Sequence, residues 1–197
     1  MPLKTYPYIL KDKITPDLKK RFLEEIKRSR KAGKETGFPI CLNDNLYAPT
    51  KGCTGKECEF VIKYPKRHCS DKVQGVFHVH PYLPNIERFY GRKPTEKDIE
   101  YGAKFYKKHF ERKGITLQTP SHDDLTDTLI DQCVGETEGT VCVGNDLDLT
   151  KVECWTVKDK KVKIRDCSQA TEEHKQRISD KPKEWIKPLF NREIINI

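Results

Sequence analysis

The stretch VQGVFHVH, residues 73–80, constrains the fold more than any other part of the chain. Its β-branched and aromatic residues predict a strand. Successive side chains on a strand point to opposite faces, so His78 and His80 share one face. Pro81 follows at once. A sheet built on this strand presents two imidazoles side by side at the strand's end.

The rest of the chain supplies the partners. Residues 16–33 predict a helix capped by Thr15, with Pro16 in its first turn and Gly33 as its stop. Leu18, Phe22, Leu23 and Ile26 form its apolar stripe. Residues 94–114 predict a second helix, where Thr95 and Asp98 make a capping box. Residues 121–132 predict a third, with Ser121 as cap and Leu125 and Leu129 turned inward. Strands are expected at 35–43, 58–64, 139–145 and 151–157, a loop at 44–57, and irregular chain at 85–93. The tail from Ser168 is polar, with a small apolar patch in KEWIKPLF. The order helix, strands, helices, strands implies an α+β fold with a mostly antiparallel or mixed sheet.

Charge is unevenly placed. Residues 1–34 hold 11 Lys/Arg against 4 Asp/Glu, while residues 121–153 hold 9 acids and one Lys. A basic segment can meet nucleic acid or an acidic partner, but a solvated helix face is the favoured reading. No apolar run is long enough to cross a bilayer, and the N-terminus lacks a secretory signal's apolar stretch. A cytoplasmic location is the expectation, with no membrane partner.

Eight cysteines are many for such a setting: Cys41, Cys53, Cys58, Cys69, Cys133, Cys142, Cys154 and Cys167. Intracellular disulfides are rare outside hyperthermophiles, and a Lys-, Glu- and Ile-rich chain with one Met fits a thermophile. Cys53, Cys58, His68 and Cys69 could form a structural zinc site, although their spacing matches no common zinc module; a disulfide in this loop fits as well. Cys142 and Cys154 read as small buried apolar residues. No cysteine has the partner arrangement of a thiol protease.

A catalytic zinc takes three protein ligands and keeps one position open. His78 and His80 offer two. Ser121 and Asp124 follow in a Ser-x-x-Asp arrangement, and Glu35 precedes them between a helix and a strand. Glu, then His-x-His-Pro, then Ser-x-x-Asp resembles the JAMM motif of the JAB/MPN metalloprotease superfamily. The lead-in at 34–38 is similar to that family's start, and TVCVGND and KVECWTV to its closing strands. The resemblance covers about residues 15–165.

That resemblance implies a JAB/MPN-like domain over 1–167 with an inserted helical lobe at 82–118, then a C-terminal extension over 168–197. It implies that His78, His80 and Asp124 bind Zn2+, that Glu35 holds the attacking water and moves its proton, and that Ser121 helps stabilise the oxyanion. The expected activity is zinc-dependent hydrolysis of a peptide or isopeptide bond in a protein or peptide substrate, those with a ubiquitin-like tail being the family's best-known class. The alternatives are an inactive MPN-like scaffold and a nucleic-acid-associated protein.

In one respect the chain departs from the pattern. Forty residues, 81–120, lie where the family has a short loop before the Ser. Thr95 and Asp98 offer a rival Ser/Thr-x-x-Asp, similar to the RadC-type branch of the superfamily. Asp124 is preferred over Asp98 because the helix that carries it leads directly into the closing strands.

Overall fold

In the computed structural model the described residues are 13–50, 69, 72–158 and 183–197. The expected strand at 58–64, the cysteines at 53, 58 and 167, His68 and the first half of the C-terminal extension lie outside them.

The first helix, α1 (Pro16–Ala32), follows the sequence closely. The Thr15 hydroxyl accepts from Leu18 N, and Gly33 closes the helix at φ 64°. Only glycine takes that left-handed turn without a steric cost. Strand β1 (Gly37–Asn43) turns tightly into β2 (Leu46–Pro49) through Asp44 and Asn45, both at positive φ. This is the two-residue hairpin geometry that Asn and Asp tolerate best among residues other than glycine. It replaces the loop expected from residue 44. Pro39 is accommodated because β2 pairs β1 only from Ile40 onward, so the missing N–H of Pro39 costs no bond on that side.

Strand β3 (Lys72–His80) is the centre of the sheet. Three helices follow: α2 (Leu83–Tyr90), α3 (Glu96–Glu111) and α4 (His122–Cys133). Then come β4 (Thr140–Asn145) and β5 (Asp148–Val157), a short helix α5 (Lys183–Ile186), a 3-10 turn and β6 (Phe190–Asn196). The strand order is β2-β1-β3-β4-β5-β6, and among these described strands only β3 and β4 run parallel. A parallel pair needs a long crossover, and α2 to α4 provide it. The result is the mixed sheet of an α+β fold. Residues 190–196, placed by the sequence in the extension, form its sixth strand against β5.

Alternation along the strands divides the core in two. Phe77, Val79, Cys142 and Cys154 pack with Leu18, Phe22 and Ile26 of α1. Val141, Val143, Trp155 and Val157 pack with Leu125 and Leu129 of α4. The sheet is therefore covered on both faces. Because Phe77 and Val79 face α1, the intervening His78 and the following His80 face α4.

The cysteine expectations hold in part. Cys142 and Cys154 are buried, but they lie directly opposite in the β4–β5 ladder and form a disulfide. Cys69 is bonded to Cys41 of β1, which removes it from a structural zinc site. Cys133 is also in a disulfide. The segment expected to be irregular after Asn85 is mostly helical, as the range of α2 shows. No helix among the described residues is long and apolar enough to cross a membrane.

Candidate metal centre

His78 and His80 occupy the carboxyl end of the parallel pair β3–β4. The β4–β5 turn fixes that end. Asn145 Nδ2 donates to His80 O at 3.1 Å, while the Asp146 carboxylate accepts from Tyr82 N at 2.7 Å and Leu83 N at 3.0 Å. Asp146 thus serves the exposed N–H groups at the start of α2, which has no side-chain cap of its own.

Asp124 arrives from the other side, at the third position of α4. Its carboxylate accepts from Ser121 N at 2.7 Å, and Ser121 Oγ accepts from Asp124 N at 3.1 Å. This reciprocal box locks the first turn of the helix. The preceding loop is tied to β5: Thr116 Oγ1 donates to the buried Glu153 at 2.7 Å, and Gln118 Nε2 to Asp148 at 3.0 Å. The candidate ligand Asp124 is therefore mounted on a helix whose start and approach are both anchored.

Glu35 is placed by the end of α1. Ser29 Oγ donates to Lys34 O at 2.6 Å, and the chain turns at Gly33. Val79 N donates to Thr36 O at 2.9 Å, and Gly37 pairs with His78. The approach is so close that a Cβ on Gly37 would stand 2.1 Å from Phe77 O and 3.1 Å from His78 Cα.

These elements bring four sequence-predicted residues together. His78 Nε2 and His80 Nε2 are 3.0 Å apart. Asp124 Oδ1 lies 3.2 Å from His78 Nε2, and Oδ2 lies 3.2 Å from His80 Nε2. Glu35 Oε1 is 3.9 Å from His78 Nε2, with its side chain 56% exposed against 5% for His78. Ser121 is present through its cap to Asp124. Among the described residues, His78, His80 and Asp124 are the group able to hold a metal ion, their ligand atoms all within 4.8 Å of one another.

The donor chemistry fits a cation. Two imidazole lone pairs and a carboxylate aimed at one small volume repel unless a proton or metal ion stands among them. The titration shifts carry the same field. Burial works against charge on His78, but its hydrogen bond to Asp124 and the charges of Asp124 and Glu35 prevail, so its pKa is raised. Burial likewise pushes Asp124 up, yet His78 and His80 outweigh it and hold the carboxyl well below the usual range. His78 Nδ1 is buried without a hydrogen-bond partner among the described residues, so the ring is oriented from its Nε2 end.

Asp98, the rival ligand, is engaged elsewhere. Its Oδ2 accepts from Arg92 at 2.8 Å and from Thr95 N at 2.7 Å, capping α3. Two residues that matter here escape sequence reasoning, Asn145 and Asp146. An Asn-Asp pair after a strand signals a turn, but nothing local says that the turn grips a strand end more than sixty residues upstream. Comparisons with family models and with curated proteins find no match to this chain.

Proposed function

We propose that this protein is a metal-dependent hydrolase of peptide or isopeptide bonds, of the JAMM type within a JAB/MPN-like fold, with zinc as the ion. The observation that carries the reading is the convergence of His78, His80 and Asp124 beside a non-ligand carboxylate, Glu35. Two nitrogens and one oxygen make a donor set that suits zinc.

His78, His80 and Asp124 would hold the ion. A bound zinc ion supplies Lewis acidity, acidifying water and polarising a carbonyl. Glu35, a carboxylate beside the three and half exposed to solvent, would take a proton from water and pass it to the leaving nitrogen. Ser121 Oγ accepts from Asp124 N, and the same hydroxyl carries a hydrogen it can donate to a developing oxyanion. A protein tail, including a ubiquitin-like one, is the substrate class that the resemblance suggests.

The test is zinc content together with cleavage of linear and isopeptide-linked tailed substrates. One zinc per chain is expected, with cleavage abolished by chelator and by Glu35→Gln while Glu35→Gln retains the ion. A chain that binds no zinc, or whose cleavage survives Glu35→Gln, overturns the proposal.

A further inference from the structure

The inserted lobe carries a surface that the metal centre does not use. Helices α2 and α3 meet at Gly102 and Ile86, so closely that a Cβ on Gly102 would stand 2.3 Å from Ile86 Cδ1. Above this contact lies a groove of about 250 Å³ lined by Ile86, Phe89, Tyr90, Tyr101, Phe105 and Tyr106. Ile86, its aliphatic floor, is buried. The rings stand out: Phe89 is 82% exposed, Tyr101 67% and Phe105 60%. Burying such rings in water-free contact is worth far more than leaving them in solvent, so their display on a folded surface marks a binding site.

The surrounding charge selects the occupant. On α3, positions 97, 101, 104, 105 and 108 fall on one stripe at helical spacing. They are Lys97, Tyr101, Lys104, Phe105 and Lys108, all exposed. Lys104 holds only a surface pair with Glu100, 2.8 Å away, of the kind that exchanges easily. Across residues 82–118 there are 9 Lys/Arg against 5 Asp/Glu. Rings and cations interleave on one face, and Tyr101 and Phe105 are one turn apart, about 6 Å along the axis. A folded protein partner would have to desolvate these lysines to reach the rings. A single-stranded nucleic acid offsets that cost, because unpaired bases stack on the rings while phosphates pair with the ammonium groups and release counterions.

We propose that the α2–α3 lobe binds single-stranded nucleic acid, with Tyr101 and Phe105 as stacking platforms and Lys97, Lys104 and Lys108 on the phosphates. The site is separate from the metal centre and does not depend on hydrolysis.

The experiment is fluorescence anisotropy of the full chain with a labelled oligodeoxythymidine 20-mer and with a blunt duplex of equal length. Binding to the single strand is expected, weakening with salt as phosphate contacts require. Tyr101→Ala and Phe105→Ala should each weaken it about tenfold. The exposed rings can be removed without loss of fold, checked by circular dichroism, and zinc content should stay unchanged. The proposal fails if the single strand is not bound at low salt, or if the duplex binds equally well and ring removal has no effect. It also fails if Phe105→Ala abolishes self-association, or binding to an acidic protein, while oligonucleotide affinity stays the same.

Discussion

His80 and Asp124 are 44 positions apart in the chain and 3.2 Å apart in space. The crossover between the two parallel strands closes that distance. It leaves the sheet at Pro81, passes through α2 and α3, and returns to the same face at the start of α4. Strand β3 is paired on both sides and the first turn of α4 is held by its capping box, so the candidate ligands would need little ordering before an ion arrives.

The two candidate aspartates should part cleanly. Asp124→Asn should lose zinc, and Asp98→Asn should keep it. The Asp98 carboxyl is held down at about 2 by its hydrogen bond to Arg92 first and by Thr95 second. A carboxylate depressed in this way stabilises α3 above the unfolded value near 3.9, and that support is lost as pH falls through about 2. Carboxyl NMR should show this midpoint, and Arg92→Ala should raise it. Zinc loss in Asp98→Asn alone would reverse the ligand assignment.

Gly37→Ala should damage the centre through the backbone. A methyl group there meets Phe77 O and His78 Cα, atoms that cannot swing aside. Overpacking of this kind costs about 1–3 kcal/mol. Urea denaturation should register the loss, and zinc affinity should fall with it. An unchanged midpoint and affinity would mean that β1 does not hold His78 in place.

Asp146→Ala should loosen the far end of β3. It strips the acceptor from Tyr82 N and Leu83 N, each a loss of about 1–3 kcal/mol if left unmet. The expected result is faster hydrogen exchange at these two amides and weaker zinc binding, with partial recovery in Asp146→Asn. Exchange unaltered at both amides would show that the latch is dispensable.

Much of this arrangement is legible in the sequence wherever the signal is local. Thr15, Thr95 and Ser121 mark three helix starts because each caps its own helix. The shared face of His78 and His80 follows from strand alternation alone. What is not legible depends on distant partners. The cap of α2 is supplied by Asp146, so no motif near Leu83 announces a helix. The sequence of β6, FNREIIN, carries no period-two apolar pattern, and the strand relies on β5 for its ladder. The disulfide of Cys142 and Cys154 needs the β4–β5 register, which spacing does not reveal.

That disulfide closes a short loop, with a sequence separation of 12. Loop-closure entropy puts its contribution near 3 kcal/mol. The double variant Cys142→Ala, Cys154→Ala should lower the thermal midpoint while retaining zinc, since the cysteines face α1 and the ligands face α4. Loss of zinc in that variant would mean that the two faces are not independent.

The central claim is that one ion sits among His78, His80 and Asp124. Anomalous diffraction at the zinc edge, from crystals grown with zinc, tests it most directly. The expected map has a single peak at about 2.0–2.2 Å from both Nε2 atoms and from an Asp124 oxygen. A map with no peak there, or with a peak whose ligands leave out Asp124, would contradict it.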